Sequence, residues 1–218
     1  MGQHGERVKQ ALLDAAEELI ARKGVDAVSN RHIAERTGSA NHSAVAYHFG
    51  GRDELIRALI ERHTDDTRRR RRELANLLGE EPDLRDLLGC LILPWTDQLA
   101  SLPRPSWRAR LVQQLKVAPS GVELIAALSD PLVDELFQQA MELLSDIPVP
   151  VLVARSWIMG RMVAEACAQY EARLEQDTME PDWNGLAYFL IDACAGMFVA
   201  PVTSVGDFLS SRAAGTLS

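Results

Sequence analysis

Residues 29–49 read Ser-Asn-Arg-His-Ile-Ala-Glu-Arg-Thr-Gly-Ser-Ala-Asn-His-Ser-Ala-Val-Ala-Tyr-His-Phe, and this stretch decides the fold. Ser29 is a good helix N-cap, because its hydroxyl can accept from the free N–H groups of the following turn. Ile33 and Ala34 supply a narrow apolar strip, and the small Ala34 lets a second helix come close. Thr37-Gly38 ends the first helix, since glycine tolerates the left-handed backbone that a sharp turn needs. Ser39 to Ala46 is expected to form a second short helix, with Val45 as its inward anchor and Asn41, His42 and Ser43 facing outward. Two short helices about a glycine turn, left through Tyr47-His48-Phe49, make a helix-turn-helix.

Such a motif lays its second helix in the major groove of duplex DNA. Asparagine can bond an adenine edge through two hydrogen bonds, histidine can reach guanine acceptors or phosphate, and serine suits either. The candidate DNA-binding residues are therefore Ser29, Asn30, Ala40, Asn41, His42, Ser43, Tyr47, His48 and Arg52. Tyr47, His48 and Arg52 are assigned to phosphates. Gly51 should cap the next helix, which places Arg52 at an N-terminus whose free N–H groups also favour an anion.

The flanking sequence supports a small helical domain. Residues 6–23 are amphipathic, with Val8, Leu12, Ala15, Ala16, Leu19 and Ile20 on one face. Residues 7–62 resemble the DNA-binding domain of the tetracycline-repressor (TetR) family of transcriptional regulators. Arg7, Leu12, Ala15-Ala16, Leu19-Ile20, Gly24, Ile33-Ala34, Gly38, Tyr47-His48-Phe49 and Asp53-Glu54-Leu55 carry the resemblance. One departure is plain: Gly38 to Phe49 is one residue longer than the usual pattern, and Ala46 stands where that pattern has its first tyrosine. The resemblance implies an all-α protein, with an N-terminal three-helix DNA-binding domain and a C-terminal helical domain for ligand binding and dimerisation. It also implies a repressor, released from its operator by a small molecule.

Composition sets bounds. The chain has 218 residues, enough for one small and one larger domain. The expected division is 1–51 and 52–218, with a long helix over 52–78 joining them. No apolar run approaches the ~18 residues of a membrane helix, and no basic-then-apolar leader is visible, so a cytoplasmic protein with no membrane partner is expected. The net charge of −8 is unevenly divided. Residues 1–72 carry 14 Lys/Arg against 11 Asp/Glu, and residues 73–218 carry 9 against 20. The weakly basic part can meet phosphates while the acidic part is held off.

Arg68 to Arg72 invites a DNA-binding reading. On one continuous helix, however, Arg68 would lie about 24 Å from Arg52 at ~1.5 Å per residue. A solvated stretch paired with Glu73, Glu80 and Glu81 is the better expectation. Further helices are expected near 83–101, 105–116 and 121–145, with Pro94 at a kink or a helix start rather than mid-helix. Asp130-Pro131 reads as N-cap and first helical residue. Cys90, Cys167 and Cys194 lie far apart in apolar surroundings and read as buried thiols.

Two C-terminal helices complete the pattern. Residues 151–174 carry Gly160, Ala164 and Ala168 at a spacing of four, and residues 183–198 are apolar nearly all round. A helix apolar on every side needs burial on every side, so a homodimer is expected through Gly160, Ala164, Ala168, Leu186, Leu190, Cys194 and Met197. A monomer with a central core helix is the alternative. Two-fold symmetry would suit a palindromic operator. For the effector pocket, Trp95, Trp107, Leu111, Phe137, Met141, Trp157 and Met162 are the candidates, with Gln113, Gln114 and Arg161 as polar additions. Adaptable Met and aromatic walls suit an apolar or amphipathic ligand.

Enzyme chemistry finds little support. Three residues before the five histidines stand Met1, Ser29, Ser39, Val45 and Ile60, so the Glu-x-x-His pair of a di-iron bundle is missing. The chain also has no His-Glu-x-x-His, no phosphate-binding glycine loop and no nucleophile elbow. No cofactor is expected. A helical adaptor that keeps the fold without binding DNA is the other alternative, and the altered turn is its support.

Overall fold

Helix α1 (Gln3–Lys23) buries Leu12, Ala16 and Ile20 against α2 (Asn30–Arg36), α3 (Ala44–Phe49) and α4 (Arg52–Glu61). The computed structural model describes residues 3–38, 43–128, 130–176 and 179–203, and every regular element among them is an α-helix. Ile33, Ala34, Val45, Leu55 and Leu59 close this first core, and all five are fully buried. The capping signals act as their chemistry predicts. Ser29 Oγ accepts from His32 N at 3.2 Å, and Gly38 takes φ +72° after the Thr37 hydroxyl has bonded Ala34 O at 2.8 Å.

The expected single helix over 52–78 is two helices, α4 and α5 (Thr64–Ala75), broken at Arg62-His63. The cause lies far away in sequence. Arg108 donates through Nη1 to Leu59 O at 2.5 Å and through Nη2 to Ile60 O at 3.0 Å, and the Thr64 hydroxyl also bonds Ile60 O at 2.8 Å. A continuing helix would offer those carbonyls to the backbone N–H groups of residues 63 and 64. Arg62 is itself pinned to α1 by Asp14 at 2.6 Å and Glu17 at 3.1 Å.

The remaining helices are α6 (Leu84–Ser101), α7 (Arg108–Val117), α8 (Pro119–Ala127), α9 (Pro131–Leu143), α10 (Val149–Glu175) and α11 (Trp183–Val199). A second core forms where α11 packs on α6, with Leu88, Ile92, Leu190, Ile191 and Cys194 at its centre. Pro94 sits inside α6, contrary to expectation. It removes a backbone hydrogen bond at a cost of ~3 kcal/mol, and the buried faces on both sides hold the helix together: Cys90 and Ile92 before it, Thr96 and Leu99 after it. Asp130 caps α9 as read, accepting from Leu132 N at 3.3 Å. The three cysteines are buried and free; burial pushes the Cys167 thiol up to about 12 and that of Cys194 to about 11.

Helix α7 belongs to both halves of the molecule. Leu111 and Leu115 are fully buried in the first core, while α10 packs along another side. Its first turn is held from α10 by the buried Glu171, whose carboxylate accepts from Ala109 N, Arg110 N and Arg110 Nε, each at 3.1 Å, and from Ser106 Oγ at 2.7 Å. A carboxylate at a helix N-terminus satisfies free N–H groups and suits the helix dipole. Nearby, the Trp107 ring lies between Arg22 of α1 at 4.2 Å and Arg110 at 4.4 Å.

Three arginines of the run, Arg68, Arg70 and Arg71, are bound to other parts of the fold rather than merely solvated. Arg68 donates to Leu128 O at 3.1 Å, Arg69 meets Asp66 at 2.8 Å, and Arg70 meets Asp97 at 2.7 Å and Glu73 at 3.4 Å. Arg71 is buried and paired with Asp130 at 2.6 Å. Of the acids expected as partners only Glu73 takes part among these contacts; Asp66 comes from α5 itself, Asp97 from α6 and Asp130 from the start of α9.

Two outcomes follow. Leu111→Ala should destabilise the protein by about 2–5 kcal/mol and speed amide exchange in α1, since its side chain completes the first core. His63 is half-buried beside Arg108 and Arg62; burial first, then these cations, lower its pKa from 6.5 to about 4. The unfolded chain therefore takes up the proton first, and stability should fall as pH drops from about 6.5 towards about 4. Urea unfolding across that window should show the loss, and His63→Gln should flatten it.

Candidate nucleic-acid interface and cavity

Tyr47 is the most exposed aromatic of the first domain at 76 %, and its ring meets that of His48 edge-on at 4.9 Å. Val45 anchors α3 on its inner side, which turns Ala46 and Tyr47 outward. His48 is half-buried, with Nδ1 enclosed and without a partner among the described residues. Ser29 is exposed at the N-cap of α2, and Asn30 follows it half-buried, its Oδ1 likewise unpartnered among the described residues. Ser43 is exposed but lies just before α3, not on its face as expected. Ala40, Asn41 and His42 lie outside the described residues.

Arg52 departs from its assignment. It begins α4 after Gly51, but Nη2 donates to Val25 O, and Nη1 is buried without a partner among the described residues. Its guanidinium ties the loop after α1 to the start of α4, and burial lowers its pKa while Asp26 and Asp53 oppose that. Its Nη2 is thus engaged inside the protein. A cation not singled out from the sequence also stands at the exit of α3: Lys9 of α1 lies over the Phe49 ring at 5.7 Å. The amphipathic period of α1 marks only its buried side, so Lys9 carries no signal of its own.

A cavity of about 720 Å³ opens among α5 to α10. Trp95, Phe137 and Trp157 line it, as expected, with Ile92, Val112 and Met159. Arg161 lines it too, whereas Gln113 and Met162 line an adjoining outer cleft of about 390 Å³. Gln114 bonds Gln113 at 3.0 Å. Three expected pocket residues are elsewhere. Leu111 fills the first core, Trp107 sits between its two arginines, and Met141 packs against the second core. Helical geometry explains the first: Leu111 and Leu115 share one side of α7, which leaves Val112 and Lys116 for the cavity.

The expected dimer residues also turn inward. Leu190 and Cys194 are 1 % and 0 % exposed against α6, and Ala164 and Ala168 are buried within the protomer. Leu186 and Met197 pack partly buried on the second core, and Gly160 lines the cavity. An all-apolar helix gives no clue to which face its own domain takes. The open face of α11 instead carries Tyr188, 62 % exposed, Phe189, 66 % exposed, and Val199. Among the described residues, no helix is long and apolar enough to cross a membrane.

Residues 12–59 match the family model described as bacterial regulatory proteins, tetR family. An HTH-type transcriptional repressor of Mycobacterium tuberculosis and an HTH-type transcriptional regulator of Mycobacterium bovis are each 43% identical to this chain over 56 residues. That segment is 26% of this chain and 29% of each relative, so the match spans less than a third of their length. A crystal structure assigned to the TetR-family transcriptional regulators, from a Rhodococcus species, shares the fold with a TM-score of 0.50 and 16% identity, over 88% of this chain and 99% of that one. The helix-turn-helix segment, residues 12–59, is thus similar to that of the tetR family of bacterial regulatory proteins.

Proposed function

We propose that the protein is a sequence-specific DNA-binding transcriptional regulator, a repressor that a small molecule releases from a palindromic operator. The observation that carries this reading is the pair α2 and α3 about Gly38, braced by α1, with Tyr47 displayed outward. Asn41, His42 and Ser43 are the proposed base-reading residues, and Tyr47 and His48 the proposed phosphate contacts, with Lys9 added and Arg52 removed.

The effector step rests on α7. Its Val112 and Lys116 face the cavity, its Leu111 and Leu115 face the first core, and its Arg108 grips the end of α4. A ligand that shifts α7 must therefore shift α4, and with it the seat of the reading helix. Differential affinity of the ligand for two settings of α7 is all that release requires.

The homodimer is proposed through the outer face of α11, Tyr188, Phe189 and Val199, in place of the residues found buried. Two reading helices about 34–36 Å apart would then address successive major grooves.

Selection of bound sequences from a random duplex library should recover a palindrome; a folded dimer that enriches nothing would refute the reading. Asn41→Ala should relax preference at one position per half-site, by about 1–3 kcal/mol. Tyr47→Phe should weaken binding to every sequence alike, by about 0.5–1.5 kcal/mol for one lost hydrogen bond. Phe189→Arg should yield monomers by light scattering, with DNA affinity lost and helical content kept.

A further inference from the structure

We infer that the 720 Å³ cavity takes an amphipathic organic anion, its charged end held by Lys116 and Arg161 and its apolar body lying among Ile92, Trp95, Val112 and Phe137. This rests on the reading of the cavity as the effector site, and adds the chemical class of the effector.

The cavity is of a size typical of small-molecule sites. Among the described residues its lining includes three cations, Arg71, Lys116 and Arg161, and no Asp or Glu. Arg71 is already neutralised by Asp130 at 2.6 Å. Lys116 is different. No hydrogen bond or ion pair engages it among the described residues, although it is half-buried between α7 and α10. Its ammonium runs up against the helix backbone at Gly160, where an added Cβ would stand 3.4 Å from Nζ. Burial, and then the neighbouring Arg161, push its pKa down, and no carboxylate opposes them. A half-buried cation without a counter-charge loses part of its hydration, and an incoming anion offsets that loss.

The two cations also set the ligand's direction. Lys116 and Arg161 line both the cavity and the adjoining cleft, so they stand where the two meet. Arg161 is braced on the Trp157 ring at 5.0 Å. Glu165, the one acid of the outer cleft among the described residues, accepts from Gln113 at 3.0 Å and from Gln169 at 2.8 Å, so it is occupied by amides. Inward of the cations the walls are apolar and aromatic. A neutral apolar molecule would leave Lys116 uncompensated, and a cationic one would add to the repulsion. Lys116 lies two turns along α7 from Arg108, so charge captured at one end acts on the helix that holds α4 at the other.

A matched pair of fluorescent probes tests the assignment on the full-length protein. These are 1-anilinonaphthalene-8-sulfonate and N-phenyl-1-naphthylamine, which share an aromatic frame and differ by the anionic group. The sulfonate should bind one site per chain about tenfold more tightly than the neutral probe, the difference made by a hydrogen-bonded charge. Lys116→Met should erase most of that preference while leaving the neutral probe's affinity unchanged and the thermal melt no lower, and Lys116→Arg should retain it. Binding on the outer face of α11 would not respond to Lys116. Equal affinities, or a preference that survives in a folded Lys116→Met protein, would overturn the anion assignment and leave the effector cavity standing. Failure of both probes to bind would overturn both.

Discussion

Arg108 closes the end of one helix from the start of another, and the arrangement of the molecule depends on that contact. Carbonyls at a helix C-terminus lack N–H partners, and a guanidinium supplies both hydrogen bonds and a favourable charge there. Because Arg108 is buried, those bonds form away from competing water, and leaving either partner unmet would be costly. The contact ends α4 at Glu61, lets α5 leave in a new direction, and seats α7 against the DNA-binding helices. At its other side, Glu171 ties the first turn of α7 to α10. One short helix thus receives an anchor from each half of the chain.

This shared helix also changes how domains are to be drawn. The first core is completed by Leu111 and Leu115, which lie far beyond the end of α4 in sequence. The first domain is therefore not a separate bead on a linker. Its packing includes a wall of the cavity-bearing half, so free energy spent in one half is felt in the other without any long chain of intermediates.

Legibility in the sequence followed the range of the forces. Local signals read correctly: the Ser29 cap, the left-handed Gly38, the Asp130-Pro131 start and the amphipathic face of α1 all act within a few residues. What failed depended on partners far along the chain. The break at Arg62-His63 comes from Arg108; the turning of Arg52 towards Val25 comes from the loop after α1; and the partners of Arg70 and Arg71 come from α6 and the start of α9. Periodicity identified α11 as buried, but with apolar residues on every side it could not say that Leu190 and Cys194 face inward and Phe189 outward. The candidate pocket was half legible for the same reason: aromatic residues mark apolar space, but not which of two cores or cavities they enter.

The Trp107 ring, held between Arg22 and Arg110, has a mechanical consequence. A cation over an aromatic face is attracted to the ring without the strict angles of a hydrogen bond. Lateral slip of α1 along α7 therefore weakens the stack gradually, where a network of directed bonds would snap. The exposed ion pair from Arg22 to Glu175 can break and re-form at little cost. At this point the contact between α1 and α7 therefore tolerates small lateral displacement while opposing separation.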